Sequence, residues 1–307
     1  MIKKPLVSVC MITYGHEHFI EQAINGVLMQ DCNFDIELVI ANDNSQDKSD
    51  EVINKIIKNH PKSSCIKYTK HDVNKGMMPN FVWALQQCNS KYIAICEGDD
   101  YWTDVLKLQK QYDFLEENND FVLMFHPVKV LLSDGKLVDD FITVVPTDYQ
   151  EQYALIKYGN FIHTPSVFFR NCITSYPKQF LESPIGDYFL YTLLLSFGKF
   201  KYINQPMAVY RYGVGYFSQY EGKIKFKKWI KTLLLIVAST KDEILKERLF
   251  RKIETDLRLD EFETSKIKIF KFLKIKNFIL LFIPPIVFTI KNKIAIYYLG
   301  LKINYKK

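Results

Sequence analysis

Tyr92-Ile93-Ala94-Ile95-Cys96-Glu97-Gly98-Asp99-Asp100 is a run of five apolar residues that breaks off on three carboxylates. A short continuous apolar run of this kind reads as a strand buried on both faces, which is the habit of parallel sheets covered by helices. The residues upstream extend the pattern. Leu6–Ile12 and Ile36–Ala41 are two more buried runs, and Ile66–Tyr68 is a shorter one. Between them lie segments of helical period: Glu17–Met29, with Phe19, Ile20, Ala23, Val27 and Leu28 on one face, then Ser49–Lys58 and Asn80–Gln87. Val105–Glu116 continues the series after the carboxylates. Strands alternating with helices predict right-handed crossovers and an α/β fold whose sheet is mainly parallel and flanked by helices. Ligands of such sheets bind beyond the carboxyl ends of the strands. Thr13–Tyr14, Asn42–Asp43 and Glu97–Asp100 each follow a predicted strand, so three polar clusters are expected at one sheet edge.

Past Phe121 the pattern is mixed. Val128–Leu132 and Val138–Val145 read as strands around the turn Ser133-Asp134-Gly135, Ser166–Phe169 and Met207–Tyr210 as further strands, and Tyr149–Lys157 and Tyr188–Phe197 as helices. Lys223–Phe262 is helical in period. The organisation predicted is an α/β unit over residues 1–220, a helical extension over 221–264 and a distinct tail over 265–307.

The tail stands apart in charge. Ten lysines and no acidic residue fall between Ser265 and Lys307, which leaves 31 of the 41 basic residues beside all 34 acidic ones in the body. The body therefore carries a net −3, without the basic stripe that nucleic acid requires. The most apolar part of the tail, Phe278–Ile290, contains Pro284–Pro285 and is too short to cross a bilayer, which takes ~20 residues. It suits an interfacial segment, with lysines towards anionic headgroups. The six cysteines form no C-x-x-C pair, the N-terminal residues lack a signal-peptide layout, and free thiols fit a reducing compartment. The expected location is cytoplasmic, peripheral at the inner membrane face.

Several residues are suited to chemistry. Adjacent carboxylates repel one another, so a cleft that holds Asp99 and Asp100 calls for a cation, and oxygen ligands suit Mn²⁺ or Mg²⁺. The other reading is a solvated acidic turn capping the next helix. Asp43 is placed to accept from a base N–H or a ribose hydroxyl, or else belongs to a loop that caps the next helix through Ser45 or Asp47. Asp187, opening a helix after Gly186, is a general base for a hydroxyl or an N-cap. His163 and Trp102 are candidates to line an acceptor site, and Arg211 and Lys75 to meet phosphate, each with a salt-bridged or structural alternative. Neither a phosphate-binding G-x-x-x-x-G-K-[ST] nor a G-x-G-x-x-G motif is present, and no G-x-S-x-G elbow appears.

Val7-Ser8-Val9-Cys10-Met11-Ile12-Thr13-Tyr14, Ile40-Ala41-Asn42-Asp43-Asn44-Ser45 and Tyr92–Trp102, in this order and spacing over about 120 residues, resemble the family-2 glycosyltransferases of the GT-A fold. The resemblance implies a GT-A, Rossmann-like catalytic domain that inverts the anomeric centre of a nucleotide-sugar, most simply a UDP-sugar. It implies that Thr13, Tyr14 and Asp43 contact the nucleotide, that Asp99 and Asp100 hold Mn²⁺ or Mg²⁺ and the diphosphate, and that Asp187 is the base. Tyr210-Arg211 resembles a late segment that closes over the diphosphate. The acceptor implied is a glycan or lipid-linked glycan. A catalytically silent nucleotide-sugar-binding subunit is the contrasting reading. A nucleotidyltransferase would need cations in the loop after the first strand, where Thr13-Tyr14-Gly15-His16-Glu17 stands instead. Gly15, Asn42 and Gly213 depart from the residues usual at their positions in the family.

Overall fold

The computed structural model describes residues 5–263, 288–290 and 293–295. The first half alternates as the periodicity predicts: β1 (Val7–Thr13), α1 (Ile20–Leu28), β2 (Ile36–Asn42), α2 (Ser49–Asn59), β3 (Ile66–Lys70), α3 (Met77–Gln87) and β4 (Tyr92–Ile95). Then come β5 (Tyr101–Trp102), α4 (Lys107–Glu117), β6 (Phe121–Phe125), β7 (Lys129–Leu131), β8 (Leu137–Asp139), α5 (Ala154–Tyr158), β9 (Phe168–Arg170), α6 (Lys178–Leu181) and α7 (Gly186–Leu194). β10 (Lys199–Tyr202), β11 (Ala208–Arg211), α8 (Gly222–Ser239) and α9 (Glu243–Glu263) complete the body, and β12 (Phe288–Ile290) pairs with β13 (Lys293–Ala295) as a short hairpin. The expectation of a membrane-associating segment over 265–307 otherwise lies outside the described residues. Among those described, no helix is long and apolar enough to cross a membrane.

The main sheet runs β10-β6-β9-β4-β1-β2-β3. β9 is antiparallel to both its neighbours, β4 and β6, and every other pairing is parallel. Six strands thus point one way and bring their carboxyl ends to one edge. Successive residues of β1 alternate between the two cores, as the pleat requires. Val7, Val9 and Met11 pack with α1, α2 and α4, while Cys10 packs with α3, α7 and α8. α8 and α9 join this second core through Leu233, Leu249 and Ile253, which are fully buried in it. α2 opens on Asp50 and Glu51 and closes on Lys58, charges that complement the helix dipole.

A smaller sheet, β5-β11-β7-β8, stands beside the carboxyl edge. Two departures from the sequence reading occur here. The strand expected over Val138–Val145 stops at Asp139, because the Asp140 carboxylate accepts from the amides of Ile142 and Thr143 and turns the chain. The helix expected from Tyr149 forms only from Ala154.

Candidate active site

The three strand ends are laced together beyond the sheet. The Asp43 amide donates to the Thr13 carbonyl at 3.0 Å, and the Gly98 amide to that of Ile12 at 2.9 Å. Thr13, Asp43 and Glu97–Asp100 are therefore neighbours, and with Tyr14 they line or border a cavity of about 1230 Å³. Its far walls come from α7, α8 and the loop 212–219.

At the nucleotide end, polar loops brace one another. Ser45 Oγ, Ser49 Oγ and Asp47 Oδ2 accept from the amides of Gly15, His16 and Glu17. Of the two caps read from sequence for the following helix, Asp47 also accepts from the Ser49 amide of α2, whereas Ser45 serves only the approach to α1. Asp43 is buried, and its two carboxylate oxygens accept from the amides of Lys75 (2.7 Å) and Gly76 (2.9 Å). Tyr14 is half exposed over the cavity. Thr13 Oγ1 and His16 Nδ1 are buried with no hydrogen-bond partner among the described residues. A Cβ on Gly98 would sit 2.8 Å from each of these atoms, so only glycine fits between them. Burial lowers the proton affinity of His16. His16, which the sequence reading did not single out, is marked only by following the first strand end.

Glu97, Asp99 and Asp100 can each offer an oxygen within 4.8 Å of the others. Asp99 and Asp100 are buried. Burial and its carboxylate neighbours Asp99 and Asp187 push Glu97 up to about 8, and burial and Asp99 push Asp100 up as well. Three crowded carboxylates in a low-dielectric turn are an environment that a divalent cation relieves, and hard oxygen donors are what Mg²⁺ and Mn²⁺ take. The residues present fit such an ion.

Asp187, at the start of α7, faces the same cavity. Its Oδ2 accepts from Asn160 Nδ2 at 2.8 Å and its Oδ1 from the Tyr188 amide at 2.7 Å. Burial raises its proton affinity, and these two bonds hold it down in part. His163 lines the cavity, buried, with Nε2 2.9 Å from Asp140 Oδ2 and its ring over Tyr210. That pairing and the Thr143 bonds outweigh burial and hold Asp140 at about 2.

Three sequence expectations are corrected. Trp102 does not line an acceptor site: it is buried in the core under α1, its Nε1 donates to the Pro165 carbonyl at 2.9 Å, and Lys107 Nζ sits 4.2 Å over its ring. Arg211 does not reach out to phosphate. It is buried, its guanidinium donates to the Asp99 carbonyl and to Gln22 Oε1, and it stacks between Phe19 and Tyr101. Lys75 is exposed and does not line the cavity, so only its backbone amide serves the site, on Asp43. The loop that does approach the carboxylates is the next one, where Gly215 comes within 3.5 Å of Asp99 Oδ2, measured from the place of a Cβ.

Comparison with known proteins gives a consistent picture. The glycosyl transferase family 2 profile matches residues 8–173. An uncharacterized protein of Mycobacterium bovis is 31% identical over 225 residues, 72% of this chain and 63% of its own length, so this chain spans about 63% of that relative. The Escherichia coli UDP-Glc:alpha-D-GlcNAc-diphosphoundecaprenol beta-1,3-glucosyltransferase WfaP is 27% identical over 74% of this chain and 83% of its own. In fold, the mannosyltransferase PcManGT from Pyrobaculum calidifontis, solved with GDP-Man and Mn²⁺, superposes with a TM-score of 0.58 at 12% identity, over 87% of this chain and 77% of that one.

Proposed function

The chain belongs to glycosyl transferase family 2, and we propose that it moves a sugar from a UDP-sugar to a hydroxyl of a glycan or lipid-linked glycan, with inversion at the anomeric carbon. The observation that carries this reading is one cavity bordered by a polar end at Thr13, Tyr14 and Asp43, the carboxylate cluster at 97–100, and a further, braced carboxylate at Asp187.

In this reading Asp43 and the Lys75–Gly76 backbone form the base and ribose end, with Thr13 Oγ1 and His16 Nδ1 free to bond the nucleotide. Asp99 and Asp100, with Glu97 beside them, would hold Mn²⁺ or Mg²⁺, an ion that when bound would supply positive charge to a diphosphate leaving group. Asp187, at the start of α7 on the same cavity, serves as general base. The acceptor oxygen attacks the anomeric carbon, its proton passes to Asp187, and the bond to the diphosphate oxygen breaks with the electron pair leaving on the diphosphate. Burial makes Asp187 a stronger base than a solvated carboxylate, and the Asn160 amide aims it. His163 borders the acceptor end.

The relative WfaP, named for a UDP-Glc donor and a diphosphoundecaprenol-linked acceptor, supports a UDP-sugar and a lipid-linked acceptor here. The Mn²⁺ bound by the mannosyltransferase supports the ion. The basic tail supports a location at the cytoplasmic face of the membrane, which binding to anionic vesicles with and without residues 265–307 checks.

The test is a panel of nucleotide-sugars with Mn²⁺, scored for nucleoside diphosphate release. Release from a UDP-sugar, abolished by EDTA, is expected. Tight UDP binding with no release from any donor, across an acceptor panel, would instead make the chain a silent binding subunit.

A further inference from the structure

The cavity is polarised. Its donor end is crowded with carboxylates, whereas its α8 wall carries Lys225, Lys228 and Lys231. These three sit at i, i+3 and i+6, so they share one face of the helix. α8 holds no acidic residue from Gly222 to Ser239, and among the described residues none of the three forms an ion pair. Two of them lie against rings: Lys228 Nζ is 4.0 Å from the Tyr220 centroid and 3.3 Å from Tyr216 Oη, and Lys225 Nζ is 5.1 Å from the Phe217 centroid. Rings position an ammonium without cancelling its charge. Three aligned and uncompensated cations on a cavity wall repel one another, and an anionic ligand relieves that repulsion.

The rim of the same cavity is apolar and exposed. Phe141 (58% exposed) packs at a tilt against Tyr212 (48%), ring centroids 5.4 Å apart, and Val144, three residues on, is 86% exposed. Ile142, Tyr212 and Val214 line the cavity itself. Large apolar side chains gathered at one mouth mark a contact for an apolar partner.

We propose that this end of the cavity is a subsite for an acceptor joining a long apolar chain to a diphosphate, with Lys225, Lys228 and Lys231 on the phosphates and the Phe141–Val144 and Tyr212–Val214 segments on the chain. A diphosphate matches the charge of the α8 wall, and an attached hydrocarbon matches the apolar rim of the same cavity. Neither half alone uses both surfaces. The assignment rests on the glycosyltransferase reading and names residues for its acceptor.

Calorimetry on the full chain, saturated beforehand with UDP and Mn²⁺ so that the donor end is filled, tests it with farnesyl diphosphate, inorganic pyrophosphate and farnesol as probes. Farnesyl diphosphate should bind about tenfold or more tightly than either of the other two. The K225A/K228A/K231A variant should lose about tenfold in farnesyl diphosphate affinity while its UDP affinity stays within about twofold. F141S/V144S should weaken farnesyl diphosphate but not pyrophosphate. Unchanged farnesyl diphosphate affinity in the lysine variant overturns the proposal, as does pyrophosphate binding as tightly as farnesyl diphosphate. A parallel loss of UDP affinity also overturns it, since the lysines would then belong to the donor. In a second arm, phosphatidylglycerol vesicles replace the probe. A lysine variant that releases vesicles yet keeps farnesyl diphosphate assigns these residues to the membrane surface and overturns the subsite. Failure of the glycosyltransferase reading is separately visible, as no nucleoside diphosphate release from any donor while the probe pattern holds.

Discussion

The backbone amide of Arg211 donates to Asp100 Oδ1 at 2.8 Å, and the Arg211 guanidinium turns back to donate to the carbonyl of Asp99. One residue of β11, 111 positions downstream of Asp100, thereby fixes both members of the acidic pair. The same guanidinium reaches Gln22 on α1 and is clamped between the rings of Phe19 and Tyr101. The late Tyr-Arg segment acts on the proposed metal turn from behind.

Arg211→Lys keeps a charge but loses the planar fork and the stacking. Thermal or urea denaturation should show a loss of about 2 kcal/mol, typical of hydrogen bonds to charged or buried groups. The Mn²⁺ concentration for half-maximal turnover should rise with it. A variant with wild-type stability and a weakened diphosphate contact would show that the guanidinium faces the donor after all.

Gly98→Ala forces a methyl against Thr13 Oγ1 and His16 Nδ1, both at 2.8 Å from the new carbon. Overpacking of this kind costs about 1–3 kcal/mol. Because the displaced groups are the orphaned polar atoms at the nucleotide end, UDP affinity should fall along with stability. Fluorescence titration with UDP reads the first and denaturation the second.

Asp187→Asn should lower turnover by ~10²–10⁴-fold while leaving UDP affinity intact. Asn160→Ala removes a hydrogen bond that favours the ionised carboxylate, so the proton affinity of Asp187 rises further. The acid limb of kcat/KM should then move to higher pH in Asn160→Ala. An acid limb in the wild-type position would remove Asp187 as the group that titrates.

Lys107 is fully buried, and burial lowers it from the ordinary 10.5 to about 7, although its Nζ donates to Gln111 Oε1 at 2.8 Å. Between those values the unfolded chain holds a proton that the folded chain has released. This group therefore makes stability increase with pH from about 7 towards 10.5, and it adds no slope below that window. Lys107→Met, similar in length and without charge, should flatten the rise in urea midpoint between neutral and alkaline pH. An unaltered slope would place the pH dependence elsewhere.

The parallel half of the fold was legible from the hydrophobic pattern of the sequence. β1, β2 and β4 are short apolar runs whose lengths and flanks leave little choice, and α1, α2 and α3 carry the 3.6-residue period of one-sided burial. The carboxylates of 97–100 stand out because they interrupt such a run. β6 and β10 were not read. Phe121–Phe125 follows a helix of mixed pattern, and Lys199–Tyr202 alternates charged with aromatic residues over only four positions. Nor does local pattern carry strand direction, so the antiparallel insertion of β9 between β4 and β6 could not be seen.

That an α/β sheet gathers Thr13, Asp43 and Asp99–Asp100 at one edge is written in the chain, because strand-end position follows from local hydrophobic period and the parallel crossover rule. Which neighbouring side chains face the cavity is settled by long-range packing. Arg211 ends β11, a strand the sequence placed just before it, and Trp102 lies in β5, which was not read, yet both turn inward, Trp102 to the carbonyl of Pro165 and Arg211 to the acidic turn it supports. His16, Asn160 and the lysines of α8 turn towards the cavity instead. Period tells which face of an element is buried, but not what it is buried against. That choice is made by contacts between residues a hundred positions apart, and no local window contains them.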